Sequence, residues 1–219
     1  MSEITRQLQR LRVEGGGGDD NASVSSESSS SSSISKSSTQ SIVSNHSLSS
    51  LSTDSVFYGY EGGRKDGKYH GFGILRYPDG RVYEGEWRMD KRHGRGVMKF
   101  SSGNVYDGEY VEGKRHGKGT MKYPDGRILY DGEWSQGKMS GRGICTFGDG
   151  TVYEGEFKDD RPHGNGKVMY LNGNLYEGEM RNDQRHGRGK MISKMGIYEG
   201  DWVAGIMHGQ GNNFCIHLL

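Results

Sequence analysis

Proline, cysteine and long apolar runs are all scarce in this chain. Apolar residues make up 31% of its 219 residues, well under the roughly 45–50% of ordinary globular chains counted with glycine. That shortage excludes a thick two-layer core and leaves room only for something thin, in which spaced aromatics meet one another. No stretch approaches the ~20 apolar residues of a membrane span, and the first thirty residues carry no apolar signal-peptide segment. Two cysteines, Cys145 and Cys215, make no disulfide framework and point to a reducing cytosol. Charge of either sign is not in excess: 29 basic against 28 acidic residues leave a formal +1. A nucleic-acid binder usually shows a strongly basic domain, so none is expected as partner. What the chain has instead is 38 glycines and 13 tyrosines.

The two abundances are not spread evenly. Residues 1–55 hold no aromatic residue, but carry Gly15 to Gly18, a serine run from Ser28 to Ser33, and serine at most positions onward. Such a segment buries too little apolar surface to offset its ordering entropy and is expected to be a disordered tail. At its very start Ser2 can cap a short helix with Ile4, Leu8 and Leu11 on one face and Arg6, Arg10 and Arg12 near its edge. That is a docking or membrane-surface pattern, although so short a helix is not stable alone.

The remainder, residues 56–219, repeats. Tyr60, Tyr83, Tyr106, Tyr130, Tyr153, Tyr176 and Tyr198 stand 22 to 24 residues apart. Each opens a segment such as Tyr83-Glu84-Gly85-Glu86-Trp87, followed by a second such as His93-Gly94-Arg95-Gly96-Val97-Met98-Lys99-Phe100 and by a turn such as Pro124-Asp125-Gly126. Hairpin, turn and hairpin are thus written out about seven times. Side chains alternate along strands, so Tyr83, Gly85 and Trp87 share a face with Gly94, Gly96, Met98 and Phe100, while Glu84, Glu86, His93, Arg95 and Val97 take the other. Glycine weakens a strand unless another group approaches closely, so each glycine is expected to lie under an aromatic ring. The register expected from this pairs Gly85 with Gly96 inside a hairpin, and Gly96 with Tyr110 between repeats.

The segments resemble the MORN (membrane occupation and recognition nexus) repeat family. Its pattern is similar to Tyr106-Asp107-Gly108-Glu109-Tyr110 with Gly113-Lys114-Arg115-His116-Gly117-Lys118-Gly119 and Asp125-Gly126, in seven copies from residue 60 to about 214. Ser140 stands where neighbouring repeats have histidine, and Gly63 where they have the second glutamate. The expected fold is all-β: a single-layer antiparallel β-hairpin solenoid. No single repeat can fold alone, and stacking closes the gap.

Chemistry is not where this pattern leads. Carboxylate pairs such as Glu84/Glu86, Glu154/Glu156 and Glu177/Glu179 recur in repeat after repeat and suit cross-strand ion pairs on a solvated face. His70, His93, His116, His163, His186 and His208 form one column, but at a spacing of ~10 Å they cannot share a metal whose ligands sit ~2 Å away. Cys145 occupies the column of Met98 and Met121 and belongs to the core. The His-Gly-x-Gly glycines precede no helix, unlike phosphate-cradling loops. The chain is therefore expected to be no enzyme, with no catalytic residue, metal or cofactor.

Three binding readings stand side by side. The first is a scaffold that binds a protein partner, cytoskeletal or motor-associated, through an exposed aromatic-glycine face: Tyr83, Trp87, Tyr106, Tyr110, Tyr130, Trp134, Tyr153, Phe157 and Tyr176. The second is peripheral binding of an anionic phospholipid surface through a basic edge of Lys91, Arg92, Lys114, Arg115, Lys138, Arg161 and Arg185. The third, suggested by the abrupt ending after Leu219, is the regulatory region of a phosphoinositide kinase or other enzyme. The resemblance implies scaffolding or tethering in the cytoplasm, at a membrane–cytoskeleton junction or cilium. The apolar C-terminal stretch, Phe214-Cys215-Ile216-His217-Leu218-Leu219, is expected to be the end through which homodimers form.

Overall fold

The computed structural model of the protein describes residues 58–214. The serine-rich tail of residues 1–55, its first arginine-bearing segment and the apolar end at residues 215–219 lie outside the described residues. Fourteen strands follow one another in chain order. The first three hairpins are β1 (Gly59–Lys65) with β2 (Lys68–Arg76), β3 (Val82–Arg88) with β4 (Lys91–Lys99), and β5 (Val105–Val111) with β6 (Lys114–Lys122). Next come β7 (Ile128–Ser135) with β8 (Lys138–Thr146), and β9 (Val152–Lys158) with β10 (Arg161–Met169). The last two are β11 (Leu175–Arg181) with β12 (Gln184–Ser193), and β13 (Gly196–Val203) with β14 (Ile206–Phe214). Each strand pairs only with its neighbours in sequence, in one 14-stranded antiparallel sheet, and the described residues contain no helix. At ~4.8 Å per strand the ribbon is about 65 Å long.

Turn chemistry explains the hairpins. Two residues with left-handed backbone join each pair, as in Met89 (φ 51°) and Asp90 (φ 68°), or Glu112 (φ 52°) and Gly113 (φ 86°). Two successive positive φ values are the mark of the type I′ turn, whose twist matches that of the strands. The chain therefore turns at Met89-Asp90, and Lys91, Arg92 and His93 open strand β4.

The core is one face of this single sheet. Tyr83 lies over the glycine pair Gly85 and Gly96: a Cβ on Gly96 would stand 2.3 Å from the phenol oxygen. The same ring-on-glycine arrangement recurs with Tyr106 over Gly119, Tyr130 over Gly143, Tyr153 over Gly166 and Tyr176 over Gly189. Each phenol donates to a carbonyl three residues on, Tyr83 to Glu86 at 3.0 Å and Tyr176 to Glu179 at 2.7 Å. Rings of successive repeats then meet edge to face. Tyr83 touches Trp87 and Tyr110 at centroid distances of 5.0 and 5.2 Å, and Tyr106 touches Tyr110 and Trp134 at 5.3 and 5.2 Å. Such pairs contribute about 0.5–1.5 kcal/mol beyond their buried area. The ladder runs to Tyr153, where Met180 takes an aromatic position, and resumes at Tyr176–Trp202.

The expected register holds within hairpins and is corrected between them. Gly85 does face Gly96, but across repeats Gly96 faces Gly108, and Tyr110 faces Gly94. Glycine meets glycine along the whole ribbon, and the tyrosine of the same repeat covers the pair. Large opposes small in the direction out of the sheet, not along the strand ladder.

Candidate functional site

The nine aromatic side chains expected to be an exposed partner strip are the core itself. Tyr83, Tyr106, Tyr130, Tyr153 and Tyr176 are 0% exposed, and Trp87, Tyr110, Trp134 and Phe157 no more than 5%. The expectation fails because Tyr83, Tyr106, Tyr130, Tyr153 and Tyr176 lie over glycine backbone and all nine rings meet their neighbours edge to face, so one layer suffices to remove them from water. Burial pushes the Tyr83, Tyr106, Tyr130 and Tyr153 hydroxyls far above the usual phenol range, and those of Tyr123 and Tyr176 up to about 12. It does the same to the Cys145 thiol, which is wholly buried in the column of Met98 and Met121. A thiol so placed forms no thiolate nucleophile near neutral pH.

The expected basic edge is also corrected. Arg92 and Arg115 are buried, and with Arg185 they lie over aromatic rings of two adjoining repeats: Arg92 over Tyr83 and Tyr110, Arg115 over Tyr106 and Trp134, Arg185 over Tyr176 and Trp202. Each donates from Nη2 to a turn carbonyl of the following hairpin, Gly113, Gly137 and Gly205, at 2.7 Å. The glycine N–H returns a hydrogen bond to the arginine carbonyl at 2.9 Å in all three. Where the arginine is replaced, so is the glycine. Opposite Tyr69 and Met139 stand Asp90 and Asp160, whose carboxylates accept the Tyr69 and Met139 N–H at 2.8 Å. Pro162 has no N–H to give, and its Asp183 faces Arg161 at 3.8 Å instead. The sequence carried this signal: Arg92 has the parity of Gly94 and Gly96, and arginine alternates with other residues in step with Gly or Asp in the next turn.

The other cations of that edge have acidic or polar partners one repeat on. Lys91 pairs with Glu112, Lys138 with Asp159 at 2.9 Å, and Lys114 donates to the Gln136 amide oxygen at 3.2 Å. The Lys91 ammonium holds the Glu112 carboxyl below its usual range, through the hydrogen bond first and its charge second. Lys91, Lys138 and Arg161 thus face carboxylates, while Arg92, Arg115, Arg185 and Lys114 bond neutral oxygens.

On the polar face the paired carboxylates divide into two kinds. The second of each pair closes a bulge. Glu86 faces three residues, His93 to Arg95, and its carboxylate lies against Gly94, where a Cβ would stand 2.5 Å from it. It accepts the Arg95 N–H at 2.9 Å. Glu109, Glu133, Glu156 and Glu179 do the same for Lys118, Arg142, Asn165 and Arg188 at 2.9 to 3.3 Å. In the first repeat Gly63 replaces this glutamate, and a Cβ on Gly71 there would meet nothing within 4 Å. The expected cross-strand ion pairs are replaced by these backbone contacts; Arg188–Asp201 at 3.4 Å is an exception. The histidines stand in the same bulges. The Nδ1 atoms of His70, His93, His116 and His163 are buried without a hydrogen-bond partner among the described residues, so these side chains pack rather than ligate. Among the described residues no three His, Cys, Asp or Glu side chains converge as metal ligands.

The first carboxylate of each pair has no such task. Glu61, Glu84, Asp107, Asp131, Glu154, Glu177 and Glu199 are exposed and form one column on alternate strands. Glu61 meets Arg76 at 3.5 Å and Asp131 accepts from Thr120 at 2.8 Å. Glu84, Asp107, Glu154, Glu177 and Glu199 take no hydrogen bond or ion pair from the described residues. The intervening strands place Ile74, Val97, Thr120 and Ile144 between the carboxylates, and then Lys167, Lys190 and Asn212. Open troughs run beside this column. One, of about 690 Å³, is lined by Ile144, Glu154, Glu156, Lys167, Glu177 and the glycine rows between them. Another, of about 920 Å³, continues past Arg188, Lys190 and Glu199. The sequence showed these carboxylates but not which of each pair is free for a partner, because both have the same face parity.

Comparison with known proteins agrees with this architecture. The family model described as "MORN repeat" matches seven stretches, residues 60–80, 83–105, 106–126, 130–152, 153–175, 176–197 and 198–212. No curated protein matches the chain. No helix among the described residues is long and apolar enough to cross a membrane.

Proposed function

Since this chain belongs to the MORN-repeat family, we propose that it is a non-catalytic scaffold whose polar trough holds a basic, apolar-studded segment of a partner protein. Proteins built of these repeats are generally non-catalytic and often serve protein or membrane binding. The observation that carries the reading is the carboxylate column, in which exposed carboxylates alternate with Ile74, Val97 and Ile144, and Glu84, Asp107 and Glu154 take no hydrogen bond or ion pair from the described residues. A partner with arginine or lysine among leucine-like residues would neutralise the first and cover the second. The aromatic face offers no competing surface, because its rings are already buried. The family resemblance supports a setting at a membrane–cytoskeleton junction or in a ciliary assembly.

The test is fluorescence anisotropy of a labelled amphipathic peptide of leucine and arginine against the full chain. Micromolar binding that weakens with salt and falls at least tenfold in Glu154→Lys/Glu177→Lys is expected, since such a contact is electrostatic. Binding indifferent to both substitutions, or a chain that takes anionic vesicles and ignores the peptide, would sink this reading.

A further inference from the structure

The polar face changes character along the ribbon. Its row of side chains nearest the turns between hairpins begins Arg76, Val82, Lys99, Val105 and Lys122, with a cation on every second strand. From β9 the same row reads Val152, Met169, Leu175, Ile192 and Ile197, each facing the next across a pair of strands. No charge interrupts it, and Met169 is 44% exposed. The next row inward changes too. Up to β8 its carboxylates alternate with Ile74, Val97, Thr120 and Ile144. Beyond β8, Glu154, Lys167, Glu177, Lys190 and Glu199 alternate in sign. These five stand on adjoining strands, yet take no ion pair from the described residues.

A row of alternating charge is complementary to itself when it is turned over and displaced by one strand. The geometry points to a second copy of this chain, seated face to face on β9 to β14 about a two-fold axis that runs along the strands between β11 and β12. Glu177 then meets the partner's Lys190, and Lys167 meets the partner's Glu199. The same axis sets Leu175 against the partner's Ile192 and Met169 against the partner's Ile197. One row further in, Glu179 stands opposite the partner's Arg188. Three neighbouring rows thus match at once, apolar on apolar and acid on base, as an isologous interface requires.

The corresponding axis fails in the other half. Midway between β3 and β4 it sets Glu84 against the partner's Val97 and Val82 against the partner's Lys99, so charge meets apolar side chain in both rows. Size is adequate on the matching side. Six strands at ~4.8 Å, each with about seven residues at ~3.3 Å, offer roughly 670 Å² of face per copy. The total of ~1,300 Å² falls within the ~1,200–2,000 Å² of specific pairs, near its lower end. Twisted sheets pack face to face with their strands about 30° apart, so contact is closest beside the axis, at Leu175, Glu177, Lys190 and Ile192. Nothing in this pairing rests on the trough: the second copy covers Glu177 but leaves Ile74, Glu84 and Val97 to a partner protein.

Sedimentation equilibrium of the full chain, with no peptide present, tests this. At tens of micromolar the unaltered chain is expected to sediment at twice its 24.3 kDa. Glu177→Lys and Lys190→Glu each set like charges against one another twice across the axis, and each is expected to weaken association at least tenfold. Mixed one to one, the two variants are expected to restore the dimer, because the charge reversed on one chain meets the charge reversed on the other. Repair within a single chain cannot produce that rescue. Where circular dichroism shows that either variant does not fold, Lys167→Glu and Glu199→Lys, the second pair across the same axis, take their place. A monomer at this concentration overturns the proposal, as does a dimer that survives either substitution or one that mixing does not restore.

Discussion

The ring of Tyr83 lies so close on Gly96 that a single added methyl would stand 2.3 Å from its phenol oxygen and 2.5 Å from its Cζ. The ring cannot retreat, because Trp87 and Tyr110 hold its edges at 5.0 and 5.2 Å. Gly96→Ala is therefore expected to destabilise the array by about 1–3 kcal/mol, the cost of overpacking a tight core. Gly80→Ala is the control: a Cβ there meets nothing within 4 Å, and only its φ of 87° is unfavourable, at about 1–2 kcal/mol. Urea unfolding followed by tryptophan fluorescence compares them. A Gly96→Ala array as stable as the unaltered chain would contradict the ring-on-glycine core.

Arg92 and Gly113 act as one clamp, and Met139 and Asp160 as its alternative. Exchanging one for the other should succeed only in pairs. Arg92→Met alone removes the bond to the Gly113 carbonyl, and Gly113→Asp alone sets a carboxylate against the backbone where the guanidinium already bonds. Together they recreate the Met139–Asp160 junction. A double-mutant cycle is expected to show about 0.5–2 kcal/mol of favourable coupling; additive effects would mean that the two residues are independent.

Glu86 is expected to protect one amide above all. Its carboxylate accepts the Arg95 N–H at 2.9 Å and rests on Gly94, whose φ is 58°. Glu86→Ala leaves that N–H to water and should cost about 1 kcal/mol. Hydrogen exchange at Arg95 should accelerate, while the Val97 amide, inside the regular ladder with Glu84, changes far less. Glu84→Ala, lacking such a contact, should leave the Arg95 amide unaffected.

Alkaline pH should unfold the array cooperatively. Burial raises the tyrosine hydroxyls above their ordinary value near 10, in Tyr123 and Tyr176 up to about 12. The unfolded chain therefore loses phenolic protons first. Stability is full below about pH 10 and is lost as pH rises towards and through 12, with each tyrosine steepening the fall. Phenolate absorbance and circular dichroism measured together check this. Tyrosines that ionised near pH 10 with the sheet intact would show that the rings are open to water.

Much of the fold was legible because alternation and a 23-residue period are properties of the chain alone. Tyr83, Gly85 and Trp87 share a face at any register, and Met98, Met121 and Cys145 fall in one column whatever the details. The site was harder to read. Glu84 and Glu86 have the same parity and look alike, yet Glu86 closes a bulge while Glu84 is exposed with no hydrogen bond or ion pair from the described residues. The arginines looked like an outward edge because a cation is ordinarily solvated, while their place over Tyr83, Tyr106 and Tyr176 depends on where the strand is broken.

By itself the sequence determined the number of hairpins, the turns between them and the face each side chain takes, since these follow from local backbone preferences repeated seven times. Only the tertiary structure decided the pairing between repeats. Inside the hairpin a bulge at His93–Arg95 sets three residues against Glu86, and between hairpins a slip of two leaves every side chain on its face. Alternation cannot detect such a slip. It nevertheless moves Gly96 from Tyr110 to Gly108, so that each tyrosine covers a pair of glycines and the aromatic face is a closed core rather than a binding strip.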